Sequence, residues 1–105
     1  MNPADIDIDI HDISQEDFKK YALVDVREDE EIQEWPALAE HLCMPCSKFP
    51  LNKDVLSKDK SYLIFCAKGG RSHHVAELLQ AEGYNAVSVN NGIASVNAYL
   101  EGLPR

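Results

Sequence analysis

The chain has 105 residues, 45% of them hydrophobic and 27% charged, with a formal net charge of −8. That length suits one domain with one core, residues 1–105, and the composition is that of a soluble globular protein. The acidic balance excludes a nucleic-acid binder, which needs a basic face, and sets a long-range barrier to anionic substrates, so an anion site must act through its local field.

No apolar run is long enough to cross a bilayer, so no membrane association is expected. The N-terminus lacks the basic flank and apolar stretch of a secretory signal. Three cysteines, Cys43, Cys46 and Cys66, do not make a disulfide framework. A reducing, cytoplasmic setting fits them.

Residues 5–10 alternate aspartate and isoleucine. Strict alternation predicts a half-buried strand, and aspartates on its outer face suit a sheet edge that must discourage further pairing. Ser14 with Asp17 three residues on marks a helix start, and a short helix to about Tyr21 is expected. Residues 22–26 read as a buried strand ending in charge at Asp25 and Arg27. Residues 28–35 should be helical, acidic at their start as the helix dipole prefers, and stopped by Pro36. Trp35 reads as a packing residue.

Residues 41–44 fit a short strand stopped by Pro45. Cys43 and Cys46 form Cys-Met-Pro-Cys. A zinc site wants four ligands, commonly from two such pairs, and the chain holds no second pair, so no metal is expected. A thioredoxin-type pair would open a helix, whereas residues 47–50 look like loop. Cys43 and Cys46 therefore read as ordinary residues, with Cys46 retained as a candidate to resolve sulfur carried on Cys66. Residues 51–56 suit a short helix with Asn52 as cap.

The stretch 61–83 organises the rest. Residues 61–66 are an apolar, strand-forming run ending in Cys66, and apolar residues at 75, 78 and 79 with Ala76 have the spacing of one helix face. Gly83 suits the left-handed position after that helix, with Tyr84 packing back on Leu79. Between strand and helix lies a tight loop, 67–72. Its N–H groups have no intrahelical partners, and a helix N-terminus favours negative charge. Lys68 and Arg71 add full charges, and Gly69 and Gly70 let the loop curl around one atom. A thiol there ionises more readily than a free one, whose pKa is about 8.5, and the thiolate is the nucleophile. His73 and His74, on the first helical turn, read as exposed polar side chains. Residues 86–89 form a last strand, Asn90-Asn91-Gly92 is turn chemistry, and residues 93–100 are a last helix ended near Gly102 and Pro104.

Cys66-Ala67-Lys68-Gly69-Gly70-Arg71-Ser72 resembles the active-site loop of the rhodanese sulfurtransferases, with Cys-x4-Arg spacing. Tyrosine phosphatases use a loop one residue longer, because a phosphate needs a wider ring of donors than one sulfane sulfur does. Leu23-Val24-Asp25-Val26-Arg27-Glu28 is similar to the second hallmark of the family, a strand ending in Asp-x-Arg. Two departures stand out. Residues 34–41 replace the family's usual Gly-His-Ile-Pro-Gly-Ala-like turn, and Val96 stands where tryptophan is usual.

The resemblance spans nearly the whole chain and implies an α/β fold, with a mainly parallel five-stranded sheet and helices on both faces. It agrees with the alternation of strands near 6–10, 22–26, 41–44, 61–66 and 86–89 with helices. It implies a sulfurtransferase that needs no cofactor. Cys66 would take a sulfane sulfur from thiosulfate or a persulfide, hold it as a persulfide beneath residues 67–72, and pass it to cyanide or a thiol. Asp25 and Arg27 would support the site at the active end of the sheet, with Asp25 pairing with Arg71, accepting loop N–H groups or capping a helix. Two rival classes share such a loop: a relay module that exchanges sulfur only with a protein partner, and a phosphatase or arsenate reductase, for which the loop is short.

Overall fold

The computed structural model describes residues 5–103. Five strands form one sheet in the order β1 (Asp7–Ile8), β5 (Asn85–Val89), β4 (Ser61–Phe65), β2 (Tyr21–Asp25), β3 (Leu42–Cys43). Every pairing is parallel. Parallel neighbours cannot be joined by hairpins, so each connection crosses a face of the sheet and covers it.

Strand side chains alternate between faces. Val24, Val26, Tyr62, Ile64 and Cys66 pack with Val75, Ala76 and Leu79 of α3 (Gly70–Ala81). Leu23, Leu63, Phe65, Val87 and Val89 form the other cluster, with Ile10 and with Ile93 and Val96 of α4 (Gly92–Glu101). Both faces are buried, which is why β2, β4 and β5 read as continuous apolar runs. The same parity puts the Cys66 side chain on the α3 face.

Several local expectations are corrected. The alternating 5–10 segment gives a strand of only two residues, because Asp9 accepts the His11 N–H at 2.9 Å and caps a 3-10 turn over Ile10–Asp12. It remains an edge strand, as the aspartates foretell. Helix α1 (Gln15–Phe18), capped by Ser14 Oγ on the Asp17 N–H, ends before Tyr21, which is the first residue of β2. Residues 51–56 hold only a 3-10 turn, Lys53–Val55. Asn52 does not cap it with its side chain; its Nδ2 donates instead to the Pro45 carbonyl at 3.1 Å.

Helix α2 (Asp29–Glu34) starts in a capping box, with the Glu28 N–H donating to Glu31 Oε1 at 3.0 Å. Trp35 is 50% exposed rather than packed inside. Gly83 takes φ +93°, and the Tyr84 N–H returns to the Leu79 carbonyl, the helix ending the sequence predicts. Gly102 caps α4, while Pro104 lies outside the described residues. Among the described residues no helix is long and apolar enough to cross a membrane.

Candidate active site

Cys66 follows the last residue of the central strand β4, where chain and sheet part. Gly69, at φ +113°, turns the loop so that α3 begins at Gly70. The turn brings loop amides onto the sulfur. The Gly69 N–H donates to Cys66 Sγ at 3.1 Å and the Ser72 N–H at 3.4 Å. Ser72 Oγ is also 3.4 Å from Sγ; it accepts from the thiol and can donate to the thiolate. Cys66 is 1% exposed, while Lys68 and Gly70 of the loop that follows it are exposed.

Burial pushes the Cys66 thiol up, but the Ser72 hydroxyl and the N–H groups of Ser72, Gly69 and Lys68 outweigh it, and its pKa falls below the ordinary value. The balance is that of a group whose charged form is hydrogen-bonded where it is buried. Ser72 is itself held, with Oγ 2.6 Å from Ser88 Oγ on β5 and 3.2 Å from the Gly69 carbonyl.

The loop is fixed from below by the turn after β5. The Ile93 N–H donates to the Cys66 carbonyl at 2.9 Å. Gly92, at φ +56°, comes so close that a Cβ there would lie 2.2 Å from that carbonyl oxygen and 2.5 Å from the one of Ala67. The turn chemistry of Asn90-Asn91-Gly92 is legible in the sequence, but its bracing of the loop is not. A glycine at the head of the last helix was the one available signal.

Asp25 and Arg27 come together with each other, not with Arg71. Both are buried, and Arg27 Nε and Nη2 reach the Asp25 carboxylate at 3.0 and 2.7 Å. Arg27 Nη1 donates to the Trp35 carbonyl at 2.8 Å and to that of Glu31 at 3.4 Å, tying down the C-terminal end of α2. The expected Asp25–Arg71 contact is absent because Arg27 occupies the Asp25 carboxylate. Arg71 is gripped by Glu31 instead, Nη1 to Oε1 at 2.6 Å and Nη2 to Oε2 at 2.7 Å. That guanidinium holds the Glu31 carboxyl down to about 2, against the pull of burial. Nothing in the sequence sets Glu31 apart from the other acidic residues at the start of α2.

Among the described residues Lys68 enters no ion pair. His73 is half-buried, with Nδ1 2.7 Å from Asp7 Oδ2, and His74 is exposed. Cys43 is exposed, and burial pushes its thiol up, with Asp25 and Asp29 adding and Arg27 opposing. Cys46 is a free thiol packed against the cluster that contains Cys66. A groove lined by Trp35, Pro36, Leu38 and Asn97 lies apart from Cys66.

Comparison with known proteins shows the family of the chain. Residues 11–99 match the rhodanese-like domain family. The chain is 39% identical over 72 residues to the Bacillus subtilis protein named "Putative sulfurtransferase YtwF", covering 68% of each chain. It is 30% identical over 83 residues to a sulfurtransferase of Allochromatium vinosum, covering 77% of each. A crystal structure of a rhodanese-related protein from Thermoplasma volcanium superposes with a TM-score of 0.77 at 35% identity, covering 93% of this chain and 94% of that one. The chain thus belongs to the rhodanese-like domain family of sulfurtransferases.

Proposed function

We propose that the protein moves a sulfane sulfur from a donor to a thiophilic acceptor through a persulfide on Cys66. The convergence of the Gly69 and Ser72 N–H groups and the Ser72 hydroxyl on one sulfur carries this reading. Cys66 thiolate attacks the sulfane sulfur of thiosulfate or of a persulfide. A new S–S bond forms, the old one breaks, and sulfite or a thiolate leaves with the bonding pair. The outer sulfur of the Cys66 persulfide then bears the negative charge. Preorganised amides of residues 67–72 stabilise it without reorganising at the moment of reaction. Cyanide, or the thiolate of a small molecule or protein, next attacks that outer sulfur and releases Cys66 thiolate, so turnover is ping-pong.

Asp25 and Arg27 act as positioning residues, since they touch α2 and each other rather than the sulfur. No cofactor takes part in these steps. Three free thiols suit a reducing, cytoplasmic setting.

Intact mass spectrometry after treatment with thiosulfate, and separately with a small persulfide, tests the proposal. The expected result is a gain of one sulfur on the peptide holding Cys66, discharged by cyanide as thiocyanate. Cys66→Ser should abolish it, while Cys43→Ser and Cys46→Ser retain it. Sulfur transfer that survives in Cys66→Ser would falsify the assignment. Hydrolysis of p-nitrophenyl phosphate dependent on Cys66 would favour phosphoryl chemistry instead.

A further inference from the structure

The charges around the Cys66 loop do not match a small dianion. Arg71 lies in the first turn of α3, next to Ser72, whose N–H donates to Cys66 Sγ at 3.4 Å. Both of its terminal nitrogens, however, are bound to the two oxygens of Glu31, with each partner about one-third exposed. The Arg71 guanidinium in turn holds the Glu31 carboxyl well below the usual carboxylate range. Glu28, whose N–H donates to Glu31 Oε1 at 3.0 Å, has its own carboxylate oxygens held by the Ser47 hydroxyl and N–H at 2.6 and 3.1 Å. Asp29 and Glu30 extend the acidic first turn of α2. Against these stands Lys68, exposed, on a chain of net charge −8.

The preorganised amides stabilise the single negative charge of a persulfide wherever it comes from. Full cations beside the loop, by contrast, decide how strongly a doubly charged donor is drawn in. Here one of the two is neutralised by an acidic partner.

We infer that Glu31 sets the donor class of the Cys66 site: by closing Arg71 into an ion pair it disfavours the thiosulfate dianion and leaves the loop to take sulfur from thiol persulfides of little or no net negative charge. The inference rests on the proposed Cys66 persulfide chemistry. In the favoured step, Cys66 thiolate attacks the outer sulfur of R–S–S−, the S–S bond breaks, R–S− leaves with its electron pair and takes a proton from water, and Cys66–S–S− remains. Charge and sulfur count balance without an oxidant or reductant.

The test compares kcat/KM for thiosulfate with that for the persulfide of 2-aminoethanethiol, whose net charge is near zero, using the full chain and one acceptor. Glu31→Gln keeps the oxygen that accepts the Glu28 N–H and removes the charge. Glu101→Gln, on the remote end of α4, is the control for net charge alone. The wild type should prefer the aminoethanethiol persulfide. Glu31→Gln should raise kcat/KM for thiosulfate by roughly threefold to tenfold, mostly through KM, as expected for one charge acting on a dianion across partly screened space. The ratio between donors should shift by a similar factor, and Glu101→Gln should shift neither.

Added salt should speed thiosulfate turnover in the wild type and do so less in Glu31→Gln, a response that loosened packing alone does not produce. Equal donor ratios in wild type and Glu31→Gln, or a wild type that prefers thiosulfate, overturns the inference while leaving the persulfide chemistry standing. Failure of both donors to load Cys66 in the wild type overturns the chemistry and the inference with it.

Discussion

Gly92 sits so close beneath Cys66 that a methyl group on its Cα would lie 2.2 Å from the Cys66 carbonyl oxygen. Backbone, not a flexible side chain, is what such a group would meet, and φ is +56°. Gly92→Ala should therefore cost about 3 kcal/mol or more in urea unfolding, combining overpacking with backbone strain. Sulfur loading of whatever folds should fall with it. Gly83 is the comparison, since it also has positive φ (+93°) but nothing within 4 Å of the added group. Gly83→Ala should cost only about 1 kcal/mol and leave loading intact. Similar losses at both positions would mean that left-handed geometry, not contact with the Cys66 loop, matters at Gly92.

The hydrogen bonds on Cys66 Sγ lower its pKa against the effect of burial, so thiolate should appear at lower pH than for an unperturbed cysteine. In a Cys43→Ser/Cys46→Ser background, ultraviolet thiolate absorbance measured against pH reads this group alone. Ser72→Ala removes the hydroxyl and should move the titration upward. The sign for stability follows from proton binding. Between the folded and unfolded pKa values the unfolded chain binds more protons, so stability rises with pH across that interval and this contribution is lost as pH falls through the folded value. A titration at or above the range of a free thiol would contradict the role given to the loop amides.

Asp25 and Arg27 form a buried pair whose remaining donor holds the Trp35 carbonyl. Arg27→Met strands the Asp25 carboxylate without its partner and should destabilise the fold by about 3–5 kcal/mol. Asp25→Leu combined with Arg27→Met should recover part of that loss. Recovery should be incomplete, because neither new side chain can hold the Glu31 and Trp35 carbonyls that Arg27 binds. Chemical unfolding of the two variants beside the wild type checks this, and a harmless Arg27→Met would show that the pair is not a clamp.

How far the sequence reaches depends on the range of the interaction concerned. The alternation of apolar runs with helical spacing, Ser14 before α1, Gly83 after α3 and the Cys66 loop between strand and helix are legible because each is set within a few residues of chain. The parallel sheet follows from that alternation, since strands separated by helices cross over a face. Where local forces compete, the reading overshoots. Asp9 diverts the 5–10 alternation into a 3-10 turn, and the Asn52 side chain turns to Pro45 rather than to its own helix start.

Partners distant along the chain are a different matter. Arg27 and Arg71 are both arginines near the same end of the sheet, and nothing in the sequence says which one takes the Asp25 carboxylate. Only folding, which sets Arg27 in the interior and presents the one-third exposed Arg71 to α2, pairs the first with Asp25 and the second with Glu31, 40 residues away in sequence. The contact between Gly92 and the Cys66 carbonyl is of the same kind, created when β5 lies beside β4. The sequence alone determined that the Cys66 sulfur would stand between a strand and a helix and what loop would surround it. Tertiary structure decided which charges that atom is left to work with, because charge pairing depends on distances that only the folded chain creates.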